Sequence, residues 1–397
     1  MSKLVYCGPY YHGDEEQEII KISKGRLNNA SNCFQSALLR GLIKTYGKEE
    51  ILVLNTLPIG TWPNNSTKLL LKDKNWQIGV FPAHEIGCVN LPIFKQKDRE
   101  VRLYRLLDKV VEDGDCILLY SCYLPFMNAI CRIKKRIHFS IIVTDLPEYY
   151  DLGKTSCFKK IARKINNKMI YRRLEDINSF VLLTEQMKEP LRVGNRPYTI
   201  VEGIWCNEEN DVCSPNIDKE KSIIFYSGTL HYQFGIQLLL DAFTEIEGDK
   251  YELWICGGGE AADSIAVLAQ KDKRVKFFGF CDSKKVAELR RQASVLVNPR
   301  PAEGEYTKYS FPSKTMEYLA SGIPVVMFHL PGIPAEYDEY LYYAGESYGG
   351  LSKTLMYVMD HPKEATEKAS CARRFIFDKK NSVVQASKVK SLVKNNF

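Results

Sequence analysis

Long hydrophobic runs are missing from this 397-residue chain. No stretch approaches the ~20 consecutive apolar residues that a membrane-crossing helix needs. The N-terminus, MSKLVYCGPYY, enters strand-like sequence at once and lacks the apolar core of a secretory signal, so a cytoplasmic protein is expected. Histidine is scarce, six residues in all, and none stands at a metal-ligand spacing. No carboxylate cluster suggests a Mg²⁺ site either, so neither metal nor cofactor is expected. The twelve cysteines are scattered, and Cys7, Cys116, Cys131 and Cys256 lie inside apolar runs, as free thiols in a reducing compartment do.

What is present describes a globular α/β protein: 45% hydrophobic and 26% charged residues, with length for two domains. Short apolar strands alternate with helical patterns, which argues for parallel sheets covered by helices. Leu4 to Cys7, Ile51 to Leu54, Cys116 to Tyr120, Phe139 to Thr144, Ser179 to Leu183 and Tyr198 to Glu202 read as strands of a first half. Ala30 to Tyr46 and Val101 to Glu112 read as its helices, with a shorter one at Met187 to Arg192. Cys206 to Lys221 is polar and aperiodic, a linker. The pattern then restarts at Ile223 to Ser227 and runs to a basic helical tail, Ala372 to Val393. The expected domains are 1–210, joined by a returning helix at about 376–397, and 211–375. Doubly wound sheets of this kind bind ligands at the carboxyl ends of their strands, and two facing each other leave a cleft.

The most informative stretch is RPAEGEYTKYSFPSKTMEYLASGIPVV, Arg300 to Val326. A strand ends at Val297, a polar loop follows, and Ser310, Pro312 and Ser313 supply helix-start chemistry before Lys314 to Ala320. A helix N-terminus offers unpaired N–H groups and partial positive charge, so it favours an anion. Arg300, Lys308 and Lys314 surround this one, and Glu317 sits one turn inside, where a carboxylate can accept hydrogen bonds from a ribose. Spacing alone also fits an ordinary strand–loop–helix with solvated cations.

SFPSKTMEYLASGIPVV resembles the nucleotide-sugar-binding segment of the retaining, family-4 type glycosyltransferases of the GT-B fold. The resemblance covers Ser222 to about Tyr343 well and the first half mainly in order of elements. It implies two Rossmann-like domains and transfer of a hexosyl or related group from a nucleotide diphosphate sugar to an acceptor hydroxyl, without a metal. In that family the helix glutamate, here Glu317, holds the ribose, and a second glutamate stands where this chain has Tyr309. Glu303 and Glu305 are nearby substitutes. The family's usual basic pair falls on Thr229 and Phe234, which leaves Arg300 and Lys314 to neutralise the leaving diphosphate. Gly228, Gly258, Phe280, Phe311 and the Ser310–Ser313 turn complete the expected donor side. Phe280 fits a nucleobase contact or a core position, and Gly228 alone fits a plain tight turn. On the acceptor side Asn29, after Asn28, opens the first long helix, and Thr144-Asp145 ends a strand where relatives have His-Asp. Asp145 can orient a sugar hydroxyl or cap its loop. Thr184 ends another strand.

Positive charge gathers at Lys159, Lys160, Arg163, Lys164, Lys168, Arg172 and Arg173, with no acid among them. Phe158, Ile161, Ile165 and Met169 recur there at helical spacing. Such a helix suits an anionic membrane surface or a solvated face. Nucleic acid is not expected, because aromatic residues are not interleaved with these cations. The expected partners are therefore a nucleotide sugar and a glycan or lipid-linked acceptor in surface polysaccharide assembly, met on the inner face of a membrane. Two alternatives remain: a nucleotide-sugar epimerase of similar fold, and a non-catalytic nucleotide-binding scaffold, the latter motivated by Tyr309, Thr229 and Phe234.

Overall fold

The computed structural model describes residues 2–24, 27, 29–46, 50–149, 157–206, 220–345 and 350–394, with backbone only at 157–159. Asn28, Phe158, Lys159 and most of the expected linker therefore lie outside the described residues or side chains. The chain forms two compact units, Met1–Ile204 with Ser382–Phe397, and Trp205–Asn381. The return to the first unit begins at Ser382, later than the expected 376, and the second unit begins at Trp205 rather than 211.

The first unit contains strands β1 (Leu4–Pro9), β2 (Ile51–Thr56), β3 (Leu70–Leu71), β4 (Lys74–Ile78), β5 (Phe81–Glu85), β6 (Cys88–Val89), β7 (Cys116–Tyr120), β8 (His138–Val143), β9 (Ser179–Leu182) and β10 (Tyr198–Ile200). Its helices are α1 (Glu16–Ile22), α2 (Asn29–Thr45), α3 (Phe94–Val110), α4 (Leu124–Ile130) and α5 (Cys157–Leu174). The main sheet runs β10-β9-β8-β7-β1-β2-β5-β4, and β3 pairs β6 apart from it. Every pairing in the main sheet is parallel except β4 with β5. CILLY and HFSIIV are buried throughout because helices cover both faces of a parallel sheet. Right-handed crossovers place α2 on one face, since β2 lies on one side of β1, and α3, α4 and α5 on the other, since their chain moves the opposite way. Accordingly α3 packs on α4 and α4 on α5.

The second unit contains β11 (Ser222–Ser227), β12 (Tyr251–Cys256), β13 (Val275–Phe277), β14 (Val295–Asn298), β15 (Val325–Phe328) and β16 (Tyr342–Ala344). Its helices are α6 (Ile236–Thr244), α7 (Ala262–Lys271), α8 (Ser283–Arg290), α9 (Ser313–Ser321), α10 (Leu351–Asp360) and α11 (Pro362–Lys379), after which α12 (Ser382–Lys394) rejoins the first unit. The sheet order β13-β12-β11-β14-β15-β16 is parallel throughout. Ile224, Leu239, Leu253, Ile265, Val297 and Leu355 centre its core.

Helix α12 seals the first unit by packing Ala386, Val389 and Leu392 against the Leu38–Leu42 face of α2. Gly41 permits this approach: a Cβ there would stand 2.0 Å from the Ser382 carbonyl oxygen. Three expectations change. The tail is two helices, not one, because the Asn381 amide donates to the Phe377 and Asp378 carbonyls (2.8 and 3.2 Å) and caps α11. The expected helix at 187–192 is a single 3₁₀ turn, Glu185–Lys188, cut short by Pro190. Helix α3 starts at Phe94 rather than Val101, since its charged first two turns hide the apolar stripe.

Candidate functional site

The parallel sheet of the second unit brings the carboxyl ends of β11, β12, β13 and β14 to one edge, the usual ligand edge of such sheets. Three glycine turns knit together there. The Gly228 amide donates to the Cys256 carbonyl (3.0 Å), Leu230 to Gly258 (3.0 Å) and Gly257 to Gly279 (2.8 Å). Gly257 has φ 147°, and a Cβ on it would lie 1.9 Å from the Gly228 carbonyl oxygen, so the turns close only without a side chain. Among the described residues nothing beyond its chain neighbours lies within 4 Å of a Cβ at Gly258, which is exposed.

Helix α9 is fastened to this edge by Tyr318. Its buried hydroxyl accepts from the Ser227 amide (3.0 Å) and donates to the Ser227 carbonyl (3.2 Å). Pro312, extended at φ −65°, is the residue before the helix, and Ser313 opens it. Ser310, expected to cap the helix, instead faces Arg300, whose Nη2 donates to its hydroxyl at 3.2 Å. The Arg300 guanidinium also stands over the rings of Tyr306 (4.8 Å) and Phe234 (5.6 Å). Cation–π contact of this kind holds a guanidinium in place without consuming its hydrogen-bond donors. Phe234, where the family resemblance leads one to expect a cation, thus supports the cation that Arg300 provides. Burial lowers the Arg300 pKa from its ordinary value, and among the described residues its buried Nε has no hydrogen-bond partner.

Glu317 lies between two cations. Lys314 Nζ donates to one carboxylate oxygen at 2.8 Å, and Arg290, at the end of α8, binds the other. Burial pushes the Glu317 carboxyl up, but Lys314 and Arg290 outweigh it and hold the pKa below the usual glutamate value. The group is an anion with two fixed cationic neighbours, and its ion pair occupies Lys314. Sequence reasoning missed Arg290. Its signal was a pair of arginines ending an amphipathic helix, but packing alone decides that Arg290 turns inward and Arg291 stays exposed.

The remaining expected donor-side residues divide. Thr229, Lys308 and Ser313 are exposed on this unit. Phe280 is 89% exposed after the Gly279 turn, which removes the core reading for it. Phe311 is buried against Tyr337 (ring centroids 5.3 Å apart), so it belongs to the core, not to a ligand surface. Tyr309 is half-buried, and Glu303 and Glu305 are exposed around the 3₁₀ turn Glu305–Tyr309. In the first unit, Asn29 opens α2 and its side-chain oxygen accepts from the Tyr11 hydroxyl (3.3 Å). Thr144 donates to Asp145 (3.2 Å) just past β8, and Asp145 is exposed. Thr184 is buried after β9. Among the described residues no three His, Cys, Asp or Glu side chains converge as metal ligands. No helix among them is long and apolar enough to cross a membrane.

Residues 221–359 match the family described as Glycosyl transferases group 1. A curated relative, the uncharacterized glycosyltransferase MJ1607 of Methanocaldococcus jannaschii, is 29% identical over 133 residues, 32% of this chain and 33% of its own length. The matched segment therefore spans about a third of that relative. Two solved structures align over the whole chain: the apo form of the lipopolysaccharide outer core galactosyltransferase WaaB (TM-score 0.64, 11% identity, 100% of each chain) and Anabaena Alr3699/HepE in complex with UDP (TM-score 0.62, 12% identity, 99% of this chain and 100% of that one). At these identities the likeness is one of fold, and the fold is GT-B, with two Rossmann-like domains.

Proposed function

We propose that this protein is a glycosyltransferase that moves a hexosyl or related sugar from a nucleotide diphosphate sugar to an acceptor hydroxyl, with retention of configuration and without a metal ion. The observation that carries the reading is the cationic group at the strand-end edge of the second unit: Arg300 fixed by Ser310, Tyr306 and Phe234, beside a helix tied to the Gly228 turn. The leaving group is a nucleoside diphosphate, which gains negative charge as the anomeric C–O bond breaks, so fixed donors aimed at it lower the barrier. Arg300, half-buried and held by Ser310, is the principal donor, the exposed Lys308 a second, and Lys314 adds positive charge while paired to Glu317. Glu317, kept ionised by Lys314 and Arg290, accepts the ribose hydroxyls. The Gly228 and Gly258 backbones admit the phosphates, and Phe280 offers a ring to the base. The acceptor oxygen attacks the anomeric carbon on the face the diphosphate leaves, and its proton passes to the departing phosphate oxygen. Asp145 and Asn29 orient the acceptor.

The acceptor on this reading is a lipid-linked glycan in surface polysaccharide assembly, met at the inner face of a membrane. What supports this is α5, where Ile161, Ile165 and Met169 stand 57%, 57% and 43% exposed in one stripe. Exposed Lys160, Lys164, Lys168 and Arg172 form the adjacent stripe. Apolar and cationic stripes side by side suit anionic headgroups. A panel of nucleotide sugars, assayed for nucleoside diphosphate release with product mass and anomeric coupling, tests the proposal. Release with transfer and retained anomeric configuration is expected. Nucleotide binding without release from any donor would favour the scaffold, and an altered free nucleotide sugar the epimerase.

A further inference from the structure

We propose that the first unit inserts an apolar tip, made of Trp62, Leu69, Leu70, Ile93 and Phe94, into the acyl layer of an anionic bilayer. This deepens the membrane reading given for α5 and is independent of the nucleotide chemistry. Trp62, Leu69 and Leu70 belong to one hydrogen-bonded knot, and Ile93 and Phe94 stand just beyond it in sequence. The Trp62 amide donates to the Asn90 carbonyl (2.9 Å), the Asn90 amide to the Leu69 carbonyl (2.7 Å), and Leu70 pairs with Val89 between β3 and β6. The Asn90 side chain closes the knot by donating to the Gly60 and Lys68 carbonyls (3.1 and 2.9 Å). Ile93 and Phe94 follow directly and are 88% and 66% exposed. Exposed apolar residues scattered singly need no explanation, but three large ones in one knot with two more directly after it do.

The tip is held rigid from below. Buried Lys95 donates to the Ile59 and Gly60 carbonyls, and buried Arg99 to the Leu57 carbonyl, so α3 grips the loop that carries Trp62. Ile93 has φ 71°, a conformation that β-branched residues rarely adopt. The backbone there is strained while the side chain stays largely in solvent rather than packed in the core.

Charge and topology name the occupant. Exposed Lys68 and Lys72 flank Leu69 and Leu70, Lys24 donates to the Pro63 carbonyl beside Trp62, and Lys97, paired with Glu100 at 2.6 Å, follows Phe94. The nearest acids are engaged: Asp73 accepts from the Gly87 amide (2.9 Å), Asp98 from the Val89 amide (2.8 Å), and both pair with Arg102. Lysine around an apolar centre is disfavoured at protein–protein interfaces and favoured against anionic lipid. Helix α3 begins beyond the carboxyl end of β5 and α5 beyond that of β8, and right-handed crossovers put both on one face of the sheet. Helices α3 and α5 therefore start at one edge and lie on one face of the sheet, an arrangement that suits a single bilayer surface.

The test uses the full-length protein with phosphatidylglycerol–phosphatidylcholine vesicles. Wild type should bind them, and bromine atoms in the upper acyl chains should quench tryptophan emission more in wild type than in Trp62→Phe. The double variant Ile93→Asn, Phe94→Ser should lose about tenfold or more in vesicle affinity, since burying one large apolar side chain alone is worth that much. Its melting temperature should not fall, and its donor turnover on a soluble acceptor should be unchanged. Asparagine tolerates positive φ, so folding should survive the change. Equal vesicle affinity of the double variant, identical quenching in Trp62→Phe, or no vesicle binding by wild type would each overturn the proposal. So would a wild-type dimer that the double variant turns into a monomer, because the tip would then be covered by a second copy.

Discussion

Glu317 is the residue on which the candidate site turns, because one carboxylate links Lys314 of its own helix to Arg290 of another. Glu317→Ala and Lys314→Ala should each lower turnover by about tenfold or more, the range of a lost charged contact, measured as nucleoside diphosphate release. Wild-type rates in both would remove the assignment. Arg290 touches Glu317 rather than the expected ligand, so its role is positioning and its signature is a pH profile. In Arg290→Leu the Glu317 carboxyl loses a cation that holds it down, and burial then raises its pKa. Under mildly acidic conditions nucleotide affinity should fall more steeply with falling pH in the variant than in wild type, where only protonation of the diphosphate itself weakens binding. Calorimetric titration with a nucleoside diphosphate across that range reads the difference. A parallel decline in wild type and variant would show that Arg290 does not control this carboxylate. Arg300→Lys should also lose activity, because an ammonium cannot stack on Phe234 and Tyr306 while reaching Ser310.

At the scale of elements, α2 and α12 meet through Gly41, and α3 carries two buried cations into the loop after β2. Gly41→Ala should destabilise the first unit by about 1–3 kcal/mol, as overpacking does, because the new methyl meets backbone at Ser382. Burial lowers the Lys95 pKa to about 7, with Arg99 nearby adding to the effect. Burial likewise raises Glu85 to about 7, with Glu15 repulsion second. The two act in different windows. Between about pH 4.5 and 7 the unfolded chain has released the Glu85 proton and the folded chain has kept it, so stability falls as pH rises. Between about pH 7 and 10.5 the unfolded chain keeps the Lys95 proton that the folded chain has lost, so stability rises with pH. Denaturant titrations should show both limbs, with Glu85→Gln flattening the lower one and Lys95→Met the upper one.

At the scale of the molecule, the chain leaves its first unit, builds a second, and returns with α12. Deleting residues 382–397 should uncover the Leu38–Leu42 face of α2 and lower the melting temperature of the first unit, while the second unit, built from 205–381, keeps its transition. A truncated chain whose two units melt as in wild type would contradict that assembly. The two-unit α/β organisation was legible in the sequence because strand and helix periodicity are local properties of the chain, and a glycine after a buried strand marks a turn wherever the fold places it. So were Arg300 and Glu317, which stand within one strand–loop–helix. The rest was not legible. Phe234 under Arg300, Arg290 against Glu317, Phe311 turned into the core and the knot that ties Trp62 to Asn90 all join segments distant in the chain or depend on which way a side chain turns. The sequence by itself determined the periodic elements and the helix that opens beside Arg300. Only the tertiary structure decided which cation each carboxylate meets and which apolar groups stay outside, because those choices follow from packing between elements rather than from order along the chain.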